Sequence, residues 1–158
     1  MLIGLLLFEF LDFPTFLIAN VIVDLEPFLV ILLGLDYPLH GFFHSFVGGT
    51  IVAVALAVVM FKSSNIIGKV MKFFRLDQKV TWKSIIAASL LGVYVHILLD
   101  TPLYPDIRPF YPLDLNPYFF SDMSIAISIY MFCIFSFLAG SIVYVVKLAL
   151  QARAHPKQ

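Results

Sequence analysis

No charged residue occurs between Asp122 and Lys147. An α-helix of about 20 apolar residues spans the hydrocarbon core of a bilayer, because all its backbone groups bond within the segment. The stretches from Pro38 to Phe61 and from Ser84 to Asp100 are also apolar and of spanning length. Across all 158 residues, 61% are hydrophobic and 13% charged. A soluble domain carries about a quarter charged residues, so roughly half of the expected charge is missing. These features predict an all-α integral membrane protein, with one domain over residues 1–150 and a polar tail over 151–158. Its net charge of zero offers no electrostatic footprint for nucleic acid. The lone Cys133 reads as a small hydrophobe in an apolar run. The apolar N-terminus lacks the basic region and small-residue site of a cleaved signal.

About four spanning helices are expected, with a short or re-entrant helix and a proline-rich outer loop. Pro14 suits the first turn of a helix running to Asp24 or Glu26. Phe28–Leu35 is apolar but too short to span, which suggests a half-helix or re-entrant turn. Asp36-Tyr37-Pro38 has the form of a helix start, so the second span is expected from Pro38 to Phe61. Lys62–Lys83 reads as a basic loop with a short amphipathic helix around Ile66–Phe74. Ser84–Asp100 forms the next span, ended by Thr101-Pro102. Residues 102–119 hold five prolines and predict a structured loop. Ser121 or Asp122 caps a last span running to Leu150. Six of the ten cations lie between Lys62 and Lys83, which places that loop in the cytoplasm.

Three of the four histidines fall in two motifs inside this apolar sequence, His40-Gly41-Phe42-Phe43-His44-Ser45 and His96-Ile97-Leu98-Leu99-Asp100-Thr101. Asp24-Leu25-Glu26 interrupts a third apolar stretch. Ionisable groups in such surroundings are costly and mark function by default. The topology brings His40, His44, His96 and Asp100 to one membrane face, with Asp24 and Glu26 on the same side. Residues four apart share a helix face, so each motif is expected to aim two ligands at one site. Imidazole and carboxylate donors suit zinc, and also manganese or iron. One to three divalent ions are expected, zinc foremost. Asp24 and Glu26 alone have a bland alternative, a helix-ending turn. Gly41, Ser45 and Gly48 form a small-residue stripe suited to close helix packing. Arg108, on the same side, is either a bidentate phosphate clamp or an ion-pair partner of Asp106 or Asp114.

These three motifs, in this order, resemble the membrane-bound metal-dependent hydrolase family over roughly residues 12–115. That family is thought to be related to zinc-dependent phospholipase C. It shows a Pro-Asp-hydrophobic-Asp element, a His-Arg-Gly-hydrophobic-Thr-His-Ser element and a His-x-x-hydrophobic-Asp element before a proline-rich stretch. This chain departs from the pattern. Val23 replaces the proline before Asp24, Gly41 directly follows His40, and no histidine precedes the first helix, where Asp12 is the nearest ligand type. The resemblance implies metal-assisted hydrolysis of a phosphoester, plausibly a phospholipid. Asp24, His40, His44, His96 and Asp100 are then the expected ligands. Glu26 is a further ligand or the general base for the attacking water. Membrane lipids are the expected surroundings, in the plasma membrane, with the site near the extracytoplasmic face. The alternative is a transporter or metal-binding membrane protein without hydrolysis, whose site lies near the midplane on broken helices.

Overall fold

The computed structural model describes residues 2–154, which form helices and turns with no strand among them. Seven α-helices follow in order: α1 (Leu2–Leu6), α2 (Phe13–Ala19), α3 (Leu25–Leu33), α4 (Phe46–Lys62), α5 (Ser64–Phe73), α6 (Trp82–Asp100) and α7 (Met123–Ala154). Short 3-10 turns cover Ile22–Asp24 and Phe42–His44. Three segments are long and apolar enough to cross a membrane: Phe13–Leu33, Trp82–Asp100 and Met123–Leu150. The pair α4 and α5, bent by 75°, makes a fourth if taken as one span.

Pro27 does not end the first span. It occupies the third residue of α3, where the missing N–H is not needed. Helical structure resumes across the 3-10 turn and stops at Gly34, whose φ of 60° supplies the left-handed C-cap. The expected helix start at Pro38 is corrected: α4 begins at Phe46. Ser45 is its N-cap, accepting from the Gly48 amide at 2.9 Å and donating to the Phe42 carbonyl at 2.7 Å. A Cβ on Gly48 would stand 1.9 Å from that carbonyl oxygen, so this position admits only glycine. With 17 residues, α4 is about 25 Å long, short of a full hydrocarbon core.

α4 and α6 run antiparallel. Thr50 meets Tyr94 through hydroxyls 2.6 Å apart, Ser89 donates to the Ala53 carbonyl at 2.6 Å, and Phe61 packs edge-on against Trp82. Each pairing moves down one helix as it moves up the other. That register sets His44, just before α4, against the last turn of α6. Between the two helices lies a core of Ala53, Leu56, Ala57 and Met60 with Ile85, Val93 and Ile97, joined by Ala19 and Val23. α2 crosses α6 closely at Gly92, where a Cβ would lie 2.5 Å from that of Ala19. At the far end, Asp12 caps α2 by accepting from the Thr15 amide at 3.1 Å, and its own amide donates to the Ser84 carbonyl. Asp12 is therefore remote from the histidines and is no ligand.

α6 starts earlier than expected, at Trp82, with a capping box between Thr81 and Ser84. Residues 101–122 form turns without a regular element, as the prolines dictate. Asp122 caps α7, accepting from the Ser124 amide at 2.8 Å. α7 is apolar and largely exposed; it packs beside α1, with Lys147 over the Phe8 ring, and its Tyr144 hydroxyl donates to the Phe74 carbonyl. It continues to Ala154, past the expected end at Leu150. Residues 155–158 of the expected tail lie outside those described.

Candidate metal centre

Four side chains from three segments converge at one end of the α4–α6 pair. Asp24 closes the 3-10 turn before α3, His44 closes the one before α4, and His96 and Asp100 occupy the last turns of α6. One ligand atom from each lies within 4.8 Å of the others. His96 Nε2 is 3.2 Å from both Asp24 Oδ1 and Asp100 Oδ2, and His44 Nε2 is 3.8 Å from Asp24 Oδ1. Yet neither Nε2 makes a hydrogen bond, although both are buried. The Asp24 oxygen lies beyond hydrogen-bond distance of His44 Nε2, and the two carboxylates near His96 Nε2 are off the direction in which an imidazole nitrogen bonds. Two orphaned imidazole nitrogens facing two carboxylates match the donor chemistry of a divalent transition ion.

Glu26 lies beside this group and outside it. Its Oε2 accepts from the Phe43 amide at 3.0 Å and lies 3.3 Å from His44 Nδ1. With Nδ1–H donating to this carboxylate, the Nε2 lone pair is left free for the site.

His40 also lies outside the group of four. It is not on α4, so the one-turn spacing expected to pair it with His44 does not apply. Its amide and its Nδ1 both bond to the Asp106 carboxylate, at 3.0 Å, and its ring stacks on Tyr104 and meets His44 edge-on. Partial burial raises the Asp106 carboxyl pKa, but the bonds from His40 outweigh that and hold it below the ordinary carboxylate range. Asp106 stands in Pro105-Asp106 within an aperiodic loop, so nothing local marks it as a partner for a histidine 66 residues away.

Arg108 pairs with Asp114, its Nε 2.8 Å from Oδ1, and both are well exposed. It lines a cavity of about 380 Å³ with His40, Asp106 and Tyr111, next to the four-residue group and not within it. The Ser45 hydroxyl is committed to the start of α4, accepting from the Gly48 amide and donating to the Phe42 carbonyl. Of the small-residue stripe, Gly41 makes room for Tyr37 within its loop, and Gly48, in the first turn of α4, makes room for Phe42 of the preceding 3-10 turn. Helix packing falls instead to Gly49, against Val93 and Ile97, and to Gly92.

Comparison with protein-family models, curated proteins and solved structures returned no match.

Proposed function

We propose that this chain is a membrane-embedded hydrolase of phosphoesters that uses a divalent metal, most suitably zinc, held by Asp24, His44, His96 and Asp100. The observation that carries this reading is the pair of buried, unbonded Nε2 atoms of His44 and His96 directed with two carboxylates into one small space. The expectation of hydrolysis comes from the sequence resemblance to the membrane-bound metal-dependent hydrolase family, which rests on the motifs that hold these same residues. A divalent ion held by Asp24, His44, His96 and Asp100 would supply Lewis acidity toward a phosphoryl oxygen and would make water more acidic at the site.

The protein's own groups do the rest. Asp24 and Asp100 balance cationic charge in an apolar setting. Glu26 holds the His44 tautomer. Its buried carboxylate is engaged by Phe43 and His44, which favours this positioning role over a general base. Arg108, one cavity away, meets a phosphate oxygen if it exchanges Asp114 for substrate. Hydrolysis adds water across a phosphorus–oxygen bond, and the leaving oxygen departs with a proton. The basic segment between Lys62 and Lys83, at the other end of the α4–α6 pair, argues for a cytoplasmic loop there and an extracytoplasmic site in the plasma membrane.

The test is elemental analysis of protein purified without chelator, joined to cleavage of bis(p-nitrophenyl) phosphate before and after metal removal and return. Metal-dependent cleavage is expected. Absence of both metal and cleavage rejects the reading. One observation favours the transporter alternative: Asp24 sits at a helix break within the apolar segment Phe13–Leu33. Metal flux into proteoliposomes without phosphoester cleavage would establish it.

A further inference from the structure

At the end of the α4–α6 pair away from the metal group, α5 carries two exposed stripes. Ile66, Val70 and Phe73 recur at four- and three-residue spacing and are 69%, 50% and 83% exposed. Asn65, Lys69 and Lys72 recur at the same spacing beside them and are exposed too. On the other flank of the apolar stripe, Ile67 and Met71 are half-buried, and Ile67 packs on the core. The orientation of α5 is fixed at both ends. At Ser63 the chain bends by 75° from α4. Beyond the helix, Leu76 is buried, and the Tyr144 hydroxyl donates to the Phe74 carbonyl at 2.9 Å. If α4 stands across a bilayer, α5 therefore lies nearly parallel to the membrane surface. Continuing the span through α5 would instead carry Lys69 and Lys72 into hydrocarbon, where charge is costly.

We propose that α5 is an interfacial helix that binds the anionic lipid surface of the cytoplasmic leaflet, with Ile66, Val70 and Phe73 among the upper chain segments and Lys69 and Lys72 on the headgroups. Charge complementarity selects this partner. Between Lys62 and Lys83 six cations face one acid, Asp77, and basic residues at a membrane surface are drawn to anionic lipid over about a Debye length. The long lysine stems reach from an apolar stripe to the headgroups above it. An acidic protein would match the cations, but only a lipid surface also matches an exposed apolar stripe lying crosswise at the end of a spanning helix pair. The inference rests on α4 and α6 crossing the bilayer and is independent of hydrolysis at the other end.

The protein holds its own probe. Trp82, the sole tryptophan, packs edge-on against Phe61 near the α4–α5 bend and is partly exposed. The full chain is placed in phosphatidylcholine nanodiscs containing phosphatidylglycerol, and one lipid or the other is brominated near the headgroup end of its chains. At equal mole fraction, brominated phosphatidylglycerol is expected to quench Trp82 several-fold more effectively than brominated phosphatidylcholine. The preference should shrink in about 0.5 M NaCl, where charges are screened. Lys69→Gln with Lys72→Gln, both at exposed positions, should bring the ratio toward one with helicity retained. A second measurement leaves both lysines in place. In a Cys133→Ala background, a nitroxide at Val70 should be open to oxygen and shielded from a water-soluble nickel chelate, and one at Asn65 should show the reverse. Equal quenching by the two lipids with Val70 shielded would overturn the anionic preference. A Val70 nitroxide open to the nickel chelate would overturn the interfacial placement and leave the stripe for a protein partner.

Discussion

The Glu26 carboxylate lies 3.3 Å from Nδ1 of His44, and through that bond the orientation of a fully buried imidazole is decided by a residue from a different helix. A carboxylate on one ring nitrogen makes the other a better metal donor. Glu26→Gln keeps an oxygen acceptor and loses the charge. We expect metal affinity to fall about 10- to 100-fold, as for other partners behind a metal ligand, with the helical content unchanged. Competition against a chromophoric chelator measures it. Unaltered affinity would mean that Glu26 serves only the Phe43 amide.

The antiparallel register of α4 and α6 puts residues 62–81 and 101–122 at opposite ends of that pair. If the pair crosses the bilayer, cysteines introduced at Lys69 and at Leu113, in a Cys133→Ala background, label from opposite sides with a membrane-impermeant maleimide. The basic segment should be the protected one in intact cells. Labelling of both from one side would remove the transmembrane arrangement and with it the outer location of the site.

The crossing of α2 over α6 depends on hydrogen standing where other residues have Cβ. At Gly92 a methyl group would meet Ala19 Cβ and, at 2.9 Å, the Phe16 carbonyl. A backbone atom cannot step aside as a flexible side chain does. Gly92→Ala should therefore cost about 1–3 kcal/mol by overpacking, read as a lower unfolding midpoint in detergent. Gly68, mid-helix in α5 with nothing within 4 Å, is the contrast: Gly68→Ala should raise stability by up to about 1 kcal/mol. Equal effects at both sites would show that α2 is not packed on α6 in solution.

The residues that were easiest to place from sequence are those whose geometry is local. His96 and Asp100 face one site because four residues make one turn of one helix. Asp122 caps α7 because the apolar run starts right after it. The His40 and His44 motif behaves otherwise. Asp36-Tyr37-Pro38 carries every local mark of a helix start, yet the amides of His40 and Phe43 are taken by Asp106 and Glu26, 66 and 17 residues away. Those two long-range bonds hold residues 40–44 out of the helix, and no periodicity in the chain encodes them. His44 still reaches the metal group, from a 3-10 turn and not from a helix face. Pro27 likewise reads as a stop, and becomes harmless once the helix restarts two residues before it.

The sharpest contrast available is between Asp100 and Arg108. Asp100 contributes a carboxylate 3.2 Å from His96 Nε2, so Asp100→Asn keeps the shape while removing the anionic donor. Metal retention after a chelator wash should drop by at least about tenfold, in line with the loss of one good ligand, and phosphoester cleavage should fall with it. Arg108 touches none of the four residues and is half exposed beside Asp114. Arg108→Lys keeps the charge and loses the two-pronged contact. Metal content should stay at the parental level, and kcat/KM for bis(p-nitrophenyl) phosphate should drop by about tenfold, the equivalent of roughly 1.4 kcal/mol of transition-state binding. Loss of metal in both variants would place Arg108 in the framework that supports His40 and Asp106 and not on the substrate. Full cleavage activity in Asp100→Asn would sink the metal-dependent mechanism and leave the transport reading ahead.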